Sequence, residues 1–312
     1  MLLALAIVRI GIGYVAVPTA LVTAASALVT IVFMAVPILA LFLGAAHRWD
    51  LVQAVSFVVL GAVLQMGLST LAGMAASPVA GGVLFALGQL GLVVWCMGVG
   101  AGLACLLKDR NMLLPIAAFL ALFDMWLVFA PEGMVGKIAR GNQESLAKVA
   151  YAIPKVADSQ AAPEAAPHGF AQAYAFVGPA DLLFLAMFFV ALYRFDMRAK
   201  QTFRVIVPVL LAYLAAVIVC SAYEFSIGPI RLAALPALLP IGLTVLLVNR
   251  REFKLLPDEK AATIGLLIIG IPLVAWRIAV SQPEPEPAPT PTVQWSPPFD
   301  KPVEDLQKPF RY

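Results

Sequence analysis

The sequence predicts an all-α, polytopic membrane protein with about nine transmembrane helices, and two observations support this fold class. Hydrophobic residues make up 62% of the 312 residues and charged residues only 12%. One water-soluble core of this size would not bury so much apolar material. The apolar residues also fall into runs, most of them close to the 20 or so residues that a helix needs to cross a bilayer.

The predicted spans follow one another through short polar joints, with one long polar segment in the middle. In chain order they are residues 2–17, 19–46, 51–76, 79–107, 112–131, 170–193, 205–223, 231–248 and 261–280. The first is short and contains Arg9, which we expect to lie at an interface or to pair two helices rather than to bind substrate. One helix over residues 1–46 would be about 69 Å long, so we expect a break near Pro18.

Two segments are too polar to be spans. Residues 132–169 are rich in Ala and Pro, and the tail from residue 282 contains alternating Pro and Glu, a composition typical of extended, solvated chain. The predicted organisation therefore has four parts. These are N-terminal helices (1–110), a core with a flexible loop at 132–169 (111–250), one further helix (251–281) and a Pro-rich tail (282–312).

The composition also argues against several classes of site. Cys96, Cys105 and Cys220 are scattered in apolar runs, so they do not form a disulfide framework. His47 and His168 belong to no zinc motif, and we expect no metal and no cofactor. The net charge of +3 is modest, and the basic residues lie mostly at the ends of the predicted spans. This distribution gives no reason to expect nucleic acid as a partner.

The distribution of basic residues predicts the orientation. If successive spans alternate in direction, the joints at 48, 108–110, 194–204 and 250–260 share one face and hold eleven Lys or Arg, whereas the short joints near Ser77 and Ser226 hold none. Because basic loops favour the cytoplasm, we expect the loop at 132–169 and the tail to lie outside.

Asp124 and Asp181 are the only acids well inside the apolar runs. An ionised side chain there costs at least about 2.5 kcal/mol, which makes such residues candidates for function. The loop at 132–169 joins the ends of the two spans nearest these acids, so both acids lie toward one membrane face. Pro236, Ala237 and Leu238 begin a later span on that same face, and broken helix there implies contact with protein or a water-filled cavity.

These residues resemble the presenilin and signal peptide peptidase family of intramembrane aspartyl proteases. The family signatures are Tyr-Asp, Gly-x-Gly-Asp and Pro-Ala-Leu on separate spans in that order. Here they read Phe123-Asp124, Gly178-Pro179-Ala180-Asp181 and Pro236-Ala237-Leu238. The likeness covers about residues 114–248 and suggests a prokaryotic-type homologue. It implies a presenilin-like helical bundle in a cytoplasmic membrane.

Three features depart from the family pattern. Phe123, as a supporting residue, lacks the hydroxyl of the usual Tyr. Ala180 replaces the second Gly after Pro179, and if that backbone requires a positive φ, then Ala180→Gly should preserve or raise activity. The helix at 261–280 is additional, and only four spans precede the one with Asp124.

The resemblance implies hydrolysis of peptide bonds within or beside the membrane, with Asp124 and Asp181 as the catalytic pair. One carboxylate would activate a water while its protonated partner polarises the scissile carbonyl. Gly178, Pro179, Ala180 and the Pro236-Ala237-Leu238 segment would contact substrate, and strand-like pairing is expected near residues 174–177.

The expected partners are transmembrane proteins or peptides as substrates, and the lipid bilayer. Two alternatives stay open. The acids would also suit a proton-coupled transporter or channel. The chain would alternatively be an inactive relative that binds membrane helices.

Overall fold

Helices make up most of the computed structural model, which describes residues 1–12, 16–129, 149–154, 156–158, 173–222, 226–227, 230–231 and 237–280. The α-helices in these residues are α1 Leu2–Ile12, α2 Thr19–Ala45, α3 Leu51–Met74, α4 Pro78–Leu106, α5 Leu113–Phe129, α6 Pro179–Arg194, α7 Ala199–Ala222, α8 Leu238–Asn249 and α9 Pro257–Val280. A 3-10 helix, Arg110–Met112, leads into α5.

Six helices are long and apolar enough to cross a membrane, which makes the chain a multi-pass membrane protein. They are α2, α3, α4, α5 together with the 3-10 helix before it, α7 and α9. The other three are shorter, with 11 residues in α1, 16 in α6 and 12 in α8.

Short strands accompany the helices and form three two-stranded sheets among the described residues. The strands are β1 Ala16–Val17, β2 Tyr151–Pro154, β3 Ala157–Asp158, β4 Ala173–Val177, β5 Ser226–Ile227 and β6 Ile230–Arg231. β1 runs parallel to β3, and β5 is antiparallel to β6. The longest sheet is the antiparallel pair of β2 and β4, with Tyr151 opposite Val177 and Ala152 opposite Phe176.

Local sequence explains where several helices begin. The predicted break at Pro18 is confirmed, since Pro18 has extended backbone between α1 and α2. Asp50 and Gln53 form a capping box at the start of α3, in which Gln53 N–H donates to Asp50 Oδ1 at 2.7 Å. Pro179 stands in the first turn of α6, where its missing N–H removes no helical hydrogen bond.

Two predicted spans begin too early. Helix α6 starts at Pro179 instead of residue 170, because residues 173–177 form β4. Helix α8 starts at Leu238 instead of residue 231, and Arg231 belongs to β6.

Helices α3 and α4 cross with their backbones in contact because glycines line the crossing. A Cβ added to Gly91 would lie 2.6 Å from Gln65 N, and one added to Gly98 would lie 2.6 Å from Val58 N. No larger side chain fits there without a backbone shift, as in other close helix pairs of membrane proteins.

Helix α6 lies at the centre of the core. Every side chain from Leu185 to Leu192 is buried, and the helix contacts α2, α4, α7 and α8. A Cβ added to Gly100 of α4 would lie 2.5 Å from the Leu183 carbonyl oxygen, so these two helices also pack closely. Helix α5 packs against α8 and α9. The helix with Asp181 is therefore central, and the helix with Asp124 reaches the core through α8.

Candidate functional site

Asp124 lies on the face of α5 that turns toward α8. It follows Ala117 and Leu120 at helical spacing, and both of these are buried. Its Oδ2 accepts a hydrogen bond of 2.8 Å from the backbone N–H of Leu238, the first residue of α8. The first amides of a helix have no partner within the helix, so Asp124 satisfies one of them. The first and third predicted motifs are joined by this bond.

Asp181 stands in the first turn of α6, directly after β4. It is half-buried, and it is close enough to Asp124 for the two carboxyl groups to interact electrostatically. An acid in the first turn of a helix is favoured by the exposed amides there. The two acids thus come together from helices that are 50 residues apart in the chain.

A small cavity adjoins Asp181. Its volume is about 30 Å³, which is room for about one water molecule. Val177 of β4, Tyr151 of β2, Leu210 of α7 and Ala237 line it together with Asp181. Ala237 therefore meets Asp181 at this cavity while its neighbour Leu238 bonds Asp124. Pro236 lies outside the described residues.

The Gly178-Pro179-Ala180 segment is the start of α6. Gly178 has extended backbone with φ −62° and ψ 139°, and Pro179 and Ala180 are helical. The positive φ considered for this segment is not found, since Asp196 is the only non-glycine residue with positive φ in the described chain. A Cβ added to Gly178 would lie 3.3 Å from Asp181 Oδ2. The thiol of buried Cys96 on α4 donates to the Pro179 carbonyl oxygen at 3.4 Å.

Phe123 is not part of this cluster, in contrast to its predicted supporting position. Its side chain is 46% exposed and stacks on Phe119 with ring centroids 5.8 Å apart. Both rings line an apolar groove between α5 and α9, together with Trp126 and Gly270. Side chains one position apart on a helix face different directions, so position 123 faces this groove while Asp124 faces α8. A tyrosine hydroxyl at position 123 would therefore point into the groove and away from the two acids.

Tyr213 of α7 is a candidate site residue that the sequence analysis missed. Its hydroxyl oxygen is buried and has no hydrogen-bond partner among the residues that the structure describes. It lies close enough to both Asp181 and Asp124 to interact with each electrostatically. The only indication of Tyr213 in the sequence is that a tyrosine stands in an apolar run. This does not predict which residues its hydroxyl approaches.

Arg9 and Gln89 are two further polar residues of the helices that bear on the site. The Arg9 side chain is 5% exposed and donates to the Ala152 carbonyl oxygen. Its guanidinium carbon lies 5.5 Å from the ring centroid of Phe33 and 5.7 Å from that of Tyr151. Arg9 therefore connects α1 to β2, which fits the expected packing role better than substrate binding. Gln89 of α4 bonds the same strand.

The described residues contain no group of three or more His, Cys, Asp or Glu side chains that could hold a metal ion. The site in these residues consists of two carboxyl groups, backbone amides and one hydroxyl. Such groups can exchange protons with a water molecule or a carbonyl group.

Comparison of the chain with family models, with curated proteins and with solved structures finds no match.

Proposed function

We propose that the protein is an intramembrane aspartyl protease, which hydrolyses peptide bonds within or next to transmembrane helices of other proteins. One observation carries the proposal. Asp124 and Asp181, on separate helices, interact electrostatically, and the Ala237-Leu238 segment is next to both: Leu238 N–H bonds Asp124 at 2.8 Å, and Ala237 lines the same cavity as Asp181. This arrangement supports the proposal, because Asp124, Asp181 and the Ala237-Leu238 segment belong to the three motifs that the presenilin resemblance compares.

The chemistry follows from two carboxyl groups in a site of low dielectric constant. Both cannot ionise when they are close, so they hold one proton between them. The ionised carboxylate takes a proton from the water, whose oxygen attacks the scissile carbonyl carbon. The protonated partner transfers its proton to the carbonyl oxygen. The carboxyl group that took the water proton then passes it to the amide nitrogen of the gem-diol. The C–N bond breaks while a hydroxyl proton of the gem-diol returns to the other carboxylate, which leaves a carboxyl group and an amine and restores the starting pair.

A substrate helix must open before attack, because its amides are already hydrogen-bonded. Strand β4 leads directly to Gly178 and Asp181, and β2 occupies one of its edges. We propose that an unwound substrate segment pairs with the other edge of β4, which brings its backbone beside the two acids.

The proposal includes the wider architecture that the resemblance implies. All nine α-helices of the described residues would then belong to one presenilin-like bundle, with α1, α6 and α8 as membrane segments in addition to the six longer helices. The location would be a prokaryotic cytoplasmic membrane.

An inactive helix-binding relative is the second candidate, and the Asp124–Leu238 hydrogen bond favours it. A carboxylate that only caps α8 would need no catalytic partner. The two roles of Asp124 can be told apart with Asp124→Asn. The amide oxygen of Asn can still accept the hydrogen bond that caps α8, but Asn cannot act as a catalytic acid or base.

The deciding experiment uses the purified full chain in lipid vesicles with a fluorogenic transmembrane peptide. We expect cleavage that a transition-state analogue of aspartyl proteases blocks. Asp124→Asn and Asp181→Asn should each abolish cleavage, and the double variant should be no worse, because the pair acts as a unit. Asp258→Asn, at an exposed acid in the first turn of α9, serves as the matched control.

Activity above a few per cent in either single variant would contradict the two-acid mechanism. Proton flux into the same vesicles, lost in both variants without any peptide cleavage by the parent, would indicate the transporter instead. Folded, inert protein in every assay would indicate the inactive relative.

A further inference from the structure

The outer edge of β2 is covered by side chains rather than by another strand. Ala152 N–H donates to Gln89 Oε1 at 3.0 Å, and Gln89 Nε2 donates to the Ala150 carbonyl oxygen at 3.5 Å. The Ala152 carbonyl oxygen accepts from the Arg9 guanidinium. One carboxamide and one guanidinium thus make the bonds that a third strand would otherwise make.

The strand register explains why Ala152 turns both of its backbone groups outward. In an antiparallel pair, residues alternate between those that exchange two hydrogen bonds with the partner and those that exchange none. Ala152 and Phe176 are opposite each other, and because both backbone groups of Ala152 bond side chains of the helices, we infer that they form a pair of the second kind. Their side chains share one face and pack with Ala72 and Phe85.

Both anchoring side chains belong to apolar helices, Arg9 to α1 and Gln89 to α4. Gln89 is 1% exposed and Arg9 is 5% exposed. Aromatic rings on α2, α4 and β2 surround the guanidinium, with Phe85 at 5.4 Å. Cations bind favourably over such rings when they are desolvated. Since α1 and α4 supply the two anchors, the position of β2 is set by the helices, although β2 belongs to the long loop.

We propose that Arg9 and Gln89 are positioning residues of the active site. They close the outer edge of β2 and hold β2 and β4 in register, and because β4 continues into Gly178 and Asp181, this register sets where the carboxyl group of Asp181 lies. They also leave the second edge of β4 as the edge for an incoming strand. The inference about catalysis rests on the proposed protease function, whereas the inference about strand register does not.

A cross-linking experiment tests the anchoring without reference to catalysis. Ala152→Cys and Phe176→Cys are introduced together, and this protein is the parent for the experiment. The two cysteines should form a disulfide readily, because the Cα atoms of such a pair are about 4.5 Å apart. Cys105 and Cys220 are first changed to Ala, and the disulfide is identified by mass spectrometry in full-length protein in vesicles. Arg9→Met and Gln89→Met should each slow its formation about tenfold, since buried backbone groups lose their partners.

Two further variants sharpen the result. Arg9→Lys keeps a charged donor and should restore part of the rate. Gln65→Met is the matched control, because Gln65 is also a buried glutamine of a neighbouring helix but bonds Trp95. If the disulfide formed at the parental rate in both Arg9→Met and Gln89→Met, the proposal would be overturned. If only one of the two variants slowed it, the other residue would not be an anchor of β2. If Arg9→Met does not fold, Gln89→Met and Arg9→Lys decide.

The same variants then test positioning in a cleavage assay with a transmembrane peptide. The parent should cut mainly one bond, and Gln89→Met and Arg9→Met should spread cleavage over neighbouring bonds. A merely structural role would lower the amount of product without moving the cleavage position. If the parent cuts nothing, the protease function fails, and the cross-linking result still decides the anchoring.

Discussion

Gly178 leaves room for the carboxyl group of Asp181, since an added Cβ would approach its Oδ2 to 3.3 Å. We expect Gly178→Val to lower the cleavage rate about a hundredfold, because a displacement of about 1 Å is enough to misalign a catalytic group. Gly265→Val is the control, since no atom lies within 4 Å of a Cβ there. Equal rates for Gly178→Val and the parent would show that Asp181 is not held against this turn.

Tyr213 brings a hydroxyl to the two acids at a cost in stability, because within the described part of the chain it is buried without a hydrogen-bond partner. We expect Tyr213→Phe to lower the rate at saturating substrate about tenfold if the hydroxyl bonds the reacting groups. Thermal unfolding of the variant should be unchanged or occur at slightly higher temperature. Tyr193→Phe, at the far end of α6 beside Phe42, is the control. A fully active Tyr213→Phe variant would contradict this role.

At the residue scale, the sequence predicted the two acids as candidates but did not predict the contacts of the other polar residues around the site. Asp124 and Asp181 stand out because an acid in an apolar run is costly wherever it lies. Arg9, Gln89 and Tyr213 are also polar residues in apolar runs, but their partners depend on packing between distant segments. The suspected strain at Ala180 is absent, because Pro179 starts a regular helix there. The reason for expecting Ala180→Gly to raise activity is therefore removed.

The α3–α4 pair depends on glycines where the two backbones meet. We expect Gly91→Val to lower the free energy of unfolding by about 1–3 kcal/mol, because the added side chain meets backbone that cannot move aside. Gly67→Val on the open face of α3 is the control, with no atom within 4 Å of an added Cβ. Thermal unfolding in detergent measures both. If Gly67→Val lowered the free energy of unfolding as much as Gly91→Val, the loss would come from the helix propensity of valine and not from the close contact.

Helix ends were predicted unevenly at the element scale, since α7 begins six residues and α9 four residues before the predicted starts. The predicted boundaries of α2, α3, α4 and α5 lie within two residues of the observed ones. The starts of α6 and α8 were wrong by nine and seven residues. Hydropathy does not separate a buried strand from a buried helix, so β4 was included in the predicted span although strand-like pairing was expected there.

The orientation of the whole molecule stays a prediction from its basic residues. A cysteine at Ser159 or at Lys200, in protein with Cys105 and Cys220 changed to Ala and only the buried Cys96 retained, tests it with an impermeant thiol reagent on intact cells. We expect Ser159→Cys to react and Lys200→Cys, at the exposed start of α7, to be protected. The opposite labelling pattern would reverse both the topology and the preferred direction of substrates.

If α6 and α8 are membrane segments, as proposed, their lengths connect the site to the thickness of the lipid around the protein. With 16 and 12 residues, these helices are about 24 Å and 18 Å long, whereas the hydrocarbon core is about 30 Å thick. Both begin at the two acids, while α2 and α4, with 27 and 29 residues, extend past a full bilayer. Hydrophobic mismatch of this kind is relieved where the bilayer thins. Cleavage should then be fastest in phosphatidylcholine with short acyl chains and slow steadily as the chains lengthen, so that membrane composition sets how readily water reaches the carboxyl groups.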